Sequence, residues 1–215
     1  MMGSMVRLEC YPSTKGKENM KQTIELKYKR QPILKNGIRV LYPTEYQKLI
    51  SVIPKHHHKL IIQTLLHTGC RFTELEAIKE NPSLFKDGRY IHLTKNEIKK
   101  VKTKIKDRHI LLGVFGKDIV KDFVKTPFRI PPRQALNKSL KRWCIKASIN
   151  PEGICLKSFR KTLISWLVAT QEDKYIRVLA SIGHDSITSL RHYITIPFDS
   201  SDKGLIKSII YGWGE

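Results

Sequence analysis

Arg71, Lys157, Arg160, His184 and Tyr193 lie far apart along the chain, yet their side chains suit one chemistry. A guanidinium offers a planar fork of donors that matches two non-bridging phosphate oxygens, and it stays charged at any relevant pH. The same fork stabilises the charge that builds up on a pentacoordinate phosphorane. A lysine adds a point charge, and a neutral imidazole can hydrogen-bond a phosphate oxygen or accept a proton. A tyrosine phenol ionises only near pH ~10, so it needs a cation or base beside it before it can attack phosphorus. Gathered in one place, these groups would open a phosphodiester by transesterification. Taken singly, each has a plainer use. Arg71 could pair with Glu74 at i, i+3 on a surface helix, His184 could cap a helix end, and Tyr193 could pack in a core through Ile187 and Leu190.

Order and spacing favour the joint reading. His67-Thr68-Gly69-Cys70-Arg71-Phe72-Thr73-Glu74 comes first, then Lys157-Ser158-Phe159-Arg160, then Gly183-His184, and Tyr193 stands nine positions after His184. The chain resembles the tyrosine recombinase (phage-integrase) family, whose boxes read Thr-Gly-x-Arg-x-x-Glu, His-x-x-Arg and Gly-His with the nucleophilic tyrosine downstream. Lys157 and Lys161 depart from the family's usual histidines. Integrases of archaeal fuselloviruses also carry lysine at the position of Lys157, and the chain is most similar to that branch. The resemblance spans roughly residues 43–196.

That resemblance implies an α+β, mainly α-helical catalytic-domain fold with a small antiparallel sheet or hairpin. It implies strand cleavage and rejoining on double-stranded DNA through a 3′-phosphotyrosine intermediate, with no cofactor and no metal. Tyr193 would attack while Arg71, Arg160 and His184 hold the phosphate and Lys157 fixes its geometry. A hairpin lysine would protonate the leaving 5′-oxygen. Lys102, in Lys102-Thr103 ahead of the strand from Arg108, is the first choice, and Lys104 is nearly as good. The expected partners are duplex DNA and further copies of the chain, a tetramer when synapsed and a monomer alone. Integration of an archaeal viral genome, in the host cell's interior, is the corresponding role. Two rivals stay open: a type IB topoisomerase using much the same residues, and a basic DNA-binding module without chemistry.

Composition agrees with a polyanionic partner. Across 215 residues, 40 Lys and Arg face 19 Asp and Glu, a formal charge of +21. Each phosphate neutralised by such a surface releases condensed counterions. Lysines that merely solvate a surface would give the same count. No long apolar run suggests a membrane span. Cys10, Cys70, Cys144 and Cys155 stand alone, so neither a disulfide framework nor a zinc ribbon is expected, and Cys70 reads as a buried structural thiol. His56-His57-His58 is a poor ligand set, because consecutive residues do not share a helix face. It reads as a solvated or DNA-facing patch. No Gly-rich phosphate loop and no carboxylate triad of two-metal type is present.

The elements that must position these groups can be read in outline. Residues 1–42 read as an expression scar, in Met1-Met2-Gly3-Ser4-Met5, followed by a flexible basic arm. Residues 43–215 read as the catalytic domain, with the family's N-terminal clamping domain missing. Thr44 and Gln47 suggest a capping box at the first helix. A second helix is expected over residues 55–67, stopped by Gly69, and a short third one after Arg71. Residues 89–94 and 108–112 read as strands around a Lys-rich connection. Further helices are expected over 117–124, 132–148, 157–170 and 174–182. A last one, over 202–211, carries a stripe of Leu205, Ile206, Ile209 and Ile210 that could cover its own core or a neighbour's.

Overall fold

The structure, a computed structural model, describes residues 30–94, 107–171, 174–183 and 196–214. The architecture is α+β and mostly helical, with two small antiparallel sheets. His184, Tyr193, Lys102 and Lys104 lie outside the described residues.

The folded unit begins at Pro32, earlier than the expected boundary near residue 43. Strands β1 (Ile33–Lys35) and β2 (Ile38–Val40) form a hairpin across Asn36-Gly37, both at positive φ, +51° and +67°. Asn-Gly supplies the two left-handed residues that a tight two-residue hairpin turn requires. The hairpin is strapped down beyond its turn. Arg39 N–H donates to the Gly153 carbonyl at 2.9 Å, and Leu41 N–H donates to Thr162 Oγ1 at 3.0 Å. Trp166 Nε1 then donates to the Leu41 carbonyl at 3.0 Å, and Val40 and Leu41 are fully buried. Residues 33–42 therefore belong to the folded unit and not to an arm, with residues 39–42 buried in its core.

Helix α1 (Pro43–Val52) starts one step before the expected cap. Pro43 takes the first helical position, where its missing N–H costs nothing. Glu45, three residues after Tyr42, turns back and accepts the Tyr42 N–H at 3.0 Å. Thr44 and Gln47 do not form the predicted box. Helix α2 (His56–Thr68) stops at Gly69, whose φ of +58° closes the helix with its N–H on the Leu65 carbonyl. A Cβ there would stand 2.9 Å from Leu163, so this stop is also a close packing point.

Helix α3 (Phe72–Glu80) follows at once. Next comes a sheet of β3 (Phe85–Lys86), β4 (Tyr90–Leu93) and β5 (Arg108–Leu111), paired antiparallel with Leu93 opposite Arg108. The two longer strands were expected; β3 was not, being only two residues long. Side-chain alternation puts Arg108 and Ile110 inward and His109 outward.

The remaining helices are α4 (Val114–Lys125), α5 (Arg133–Lys146), α6 (Lys157–Thr170), α7 (Tyr175–Ile182) and α8 (Ser200–Ile209). Helix α6 is the hub, packed against β2, α2, α7 and α8. Phe159 and every residue from Thr162 to Val168 are buried, so α6 is enclosed on nearly all sides. Each large apolar side chain sunk in this way stabilises the fold by about 1.5–3 kcal/mol. Helix α8 packs in cis on α6 and α1, with Ile206 and Ile210 in the core and the Asp199 carboxylate accepting the Asp202 N–H at 2.7 Å. Among the described residues no helix is long and apolar enough to cross a membrane.

Candidate phosphate-binding site

Arg71 caps α3 from outside its first turn. Its backbone N–H donates to Glu74 Oε2 at 2.6 Å, and its Nη1 donates to Glu74 Oε1 at 3.0 Å. Glu74 is completely buried, while the Arg71 side chain is 49% exposed. A second arginine closes the other side of the carboxylate. Arg108 Nη1 and Nη2 donate to Glu74 Oε1 and Oε2 at 3.0 and 2.8 Å, a bidentate fork. Burial alone pushes the Glu74 carboxyl up. The hydrogen bonds and charge of Arg108, joined by those of Arg71, outweigh it and hold the group below its ordinary value. Glu74 is thus an ionised carboxylate inside the protein, aimed at two arginines.

Arg160 occupies the second turn of α6 and ties two helix ends together. Its Nη1 donates to the Gly69 carbonyl at 2.7 Å, beyond α2, and its Nη2 to the Ile182 carbonyl at 2.6 Å, in the last turn of α7. Carbonyls at helix C-termini form the negative end of the helix dipole and favour a cation there. Burial lowers the Arg160 pKa to about 10, with repulsion from Arg108 and Arg71 adding and attraction to Glu74 opposing. The guanidinium stays charged at neutral pH. Lys157 opens the same helix one turn earlier and is exposed.

These groups face one cavity of about 420 Å³. Among the described residues five cations line it, Arg71, Arg133, Lys157, Arg160 and Lys161, and no carboxylate does. Ile38, Phe72, Leu156 and Ile164 give it an apolar side. Three helices present their N-terminal residues to it: α3 through Phe72 and Thr73, α5 through Arg133, and α6 through Lys157. Helix N-termini carry partial positive charge, so they add to the side chains. Lys161 also donates to the Lys35 carbonyl of β1, which brings the hairpin to the rim; burial lowers its pKa. Such a cavity is suited to an anion with several oxygen acceptors.

Of the expected site residues, the structure brings Arg71, Lys157 and Arg160 together. Glu74 orients Arg71, as the i, i+3 spacing suggested, so the pair is both a helix contact and a mount for the arginine. Ile182 and Gly183, which precede His184 in sequence, lie against Arg160 and Arg108. Sequence reasoning missed Arg133, for which no signal stood out beyond a basic residue after Pro131-Pro132. It also missed the role of Arg108, although strand alternation with Ile110 already placed it inward.

Cys70, beside Arg71, is buried, and burial with the charge of Glu74 pushes its thiol up to about 12. It is a structural thiol and no nucleophile at neutral pH. Of the three histidines, His56 is exposed, while His57 stacks on Phe128 and His58 tilts onto Trp143, which gives those two a packing role instead of a solvated one. Burial, then neighbouring positive groups including Lys55, lowers the pKa of each.

Comparison of the chain with protein-family models, with curated proteins and with solved structures returned no match.

Proposed function

We propose that this chain is the catalytic domain of a tyrosine recombinase that cleaves and rejoins double-stranded DNA. The observation that carries the reading is the single carboxylate-free cavity shared by Arg71, Lys157 and Arg160. These residues come from two separate stretches of sequence, each resembling a box of the family, with Lys157 as the departure in the second.

In this mechanism Arg71 and Arg160 bind the non-bridging oxygens of the scissile phosphate and gain strength as the phosphorane becomes more negative. Lys157 adds positive charge at the α6 N-terminus, and Arg133 and Lys161 extend the contact to neighbouring phosphate. The Tyr193 oxygen attacks phosphorus, with His184 hydrogen-bonded to the phosphate or taking the phenolic proton. The P–O5′ bond breaks, and Lys102 or Lys104 gives a proton to the leaving oxygen. A 3′-phosphotyrosine ester remains, and attack by a 5′-hydroxyl on that ester restores DNA and the free tyrosine. Integration of viral DNA by a synapsed assembly is the biological setting that fits.

The decisive experiment is a nicked suicide duplex incubated with the chain and resolved on a denaturing gel. A covalent protein–DNA band is expected, and Tyr193→Phe should abolish it. Absence of the band from the intact chain would leave a basic DNA-binding module as the reading. A second enzymatic reading has one observation behind it: α8 is engaged in cis on α6 and α1. The reading is a type IB topoisomerase, which acts on one duplex and has no need of a helix lent to a neighbour. Relaxation of supercoiled plasmid without joining of paired sites would select that reading.

A further inference from the structure

We propose that Arg108 is a positioning residue, which aims Arg71 into the cavity through Glu74 and fixes the end of α7 through Ser181. The proposal rests on the phosphodiester reading of the site. Its geometry is an unbroken chain of contacts from β5 to α3 and α7. Glu74 Oε1 accepts from Arg71 Nη1 and Arg108 Nη1; Oε2 accepts from Arg71 N and Arg108 Nη2. An ionised carboxylate has about four lone-pair sites, so these two arginines account for its capacity. Its orientation is therefore fixed from both sides. Arg71 gives one fork nitrogen to this mount while its side chain lines the cavity.

The third nitrogen of Arg108 works elsewhere. Nε donates to the Ser181 carbonyl at 3.2 Å, and Ser181 Oγ accepts the Leu111 N–H at 3.0 Å. Strand β5 thus grips the last turn of α7 twice. A Cβ on Gly183 would stand 2.9 Å from Arg108 Cδ, so the backbone that leads to His184 in sequence rests on this side chain. Both phosphate-facing arginines depend on the same corner, since Arg160 holds the adjacent Ile182 carbonyl.

Loss of Arg108 has a pH signature with a definite sign. The charged or titratable groups facing Glu74 are Arg71, Arg108, Arg160 and Cys70. Arg160 stays cationic and Cys70 stays neutral at neutral pH. Among the described residues of this cluster, Glu74 is the group that can then titrate on mild acidification. Without Arg108, burial pushes its carboxyl upward with one close cation left to oppose it. Presentation of Arg71 would be intact at high pH and lost as pH falls through the raised value. In the native chain the carboxyl lies below its ordinary 4.5, so no such loss occurs above that pH.

The test uses the full chain carrying Tyr193→Phe and the affinity of a fluorescent duplex, alone and with Arg71→Ala, Arg108→Met or both. Arg71→Ala should weaken binding by about 10-fold or more, the loss of one charge-assisted contact. In the Arg108→Met background near pH ~5.5, the same substitution should cost less than about 2-fold, with part of its effect returning near pH ~8. Arg108→Lys keeps the charge without the fork and should fall between. Additive effects with no pH dependence would overturn the proposal. Circular dichroism and urea unfolding establish that each variant is folded. If Arg108→Met does not fold, Glu74→Gln with Arg108→Met replaces it as a neutral pair. A full Arg71 effect in that pair would equally overturn the proposal. Coupling of Arg71 and Arg108, together with no covalent protein–DNA band from the chain that keeps Tyr193, would sink the recombinase reading and leave this one standing.

Discussion

Two buried arginine–glutamate pairs of the same chemistry sit in different parts of the molecule and are built differently. At the site, Arg108 spends all three guanidinium nitrogens, two on Glu74 and one on the Ser181 carbonyl. At the hairpin corner, Arg39 is completely buried and its Nη2 meets Glu45, but Nε and Nη1 have no partner among the described residues. Glu45 divides its oxygens between Arg39 and the Tyr42 N–H that starts α1. Arg108 and Glu74 stand 34 residues apart in sequence, whereas Arg39 and Glu45 are separated by six. Only the Glu74 carboxylate also mounts a half-exposed arginine in a cavity. A buried pair is weak evidence for stability, since desolvation can cancel its attraction. The contrast separates a pair that fixes a working side chain from one that only staples a corner.

The largest effect should come from breaking the two pairs in the same way. Glu74→Ala and Glu45→Ala each leave a buried arginine uncompensated and should each cost about 3–5 kcal/mol in urea unfolding. Cleavage or duplex affinity should divide them: a loss of about 10²-fold or more for Glu74→Ala, as for removal of a preorganised charge contact, and little change for Glu45→Ala once folded. Equal functional losses would erase the distinction.

A pH effect of nearly the same size sharpens the comparison by testing a third buried polar group. His67 is buried in α2 and its pKa is lowered to about 4 by burial. The unfolded chain binds this proton near pH ~6.5 and the folded chain does not, so stability rises with pH between those values. It is fully present above pH ~6.5 and lost on acidification towards about 4, by an amount on the order of 3 kcal/mol. His67→Gln should flatten that part of the urea-midpoint profile. Glu74, whose carboxyl lies lower than usual, should shed its share only at more acid pH.

The smallest effect is expected at Arg39. Arg39→Met removes a charge with two orphaned nitrogens and fills the space with apolar atoms. Replacing a buried ionic group in this way is often neutral or better, but Glu45 then keeps only its Tyr42 contact as compensation. Pairing the change with Glu45→Gln should bring stability within about 1 kcal/mol of the native chain by thermal unfolding. A collapse of that double variant would show the staple to be indispensable.

The parts of the fold legible in the sequence were those with local causes. Helix α6 runs over the expected 157–170, and α2 ends at Gly69 as its glycine signalled. Strand alternation found β4 and β5. The hairpin at Asn36-Gly37 carried an equally local signal, yet the lysines around it suggested an arm. What ties it to the core is a set of bonds from Arg39 and Leu41 to Gly153, Thr162 and Trp166, all more than a hundred residues away. The capping box slipped because Pro43 and Glu45 offered a competing start to Thr44 and Gln47.

The sequence by itself determined the chemistry of the site: arginines at 71 and 160, a lysine at 157, and the Glu74 that mounts the first of them. Residue type and order are enough for that, because a guanidinium's charge and shape do not depend on the fold. Tertiary structure alone decided that Arg133 and Lys161 join the same cavity, and that Arg108 on strand β5 reaches Glu74 on helix α3. It also decided that α8 folds back on its own core. Those outcomes depend on how helices and strands distant in sequence pack. Spacing along a chain records the period of an element and leaves open the neighbour its buried face will meet.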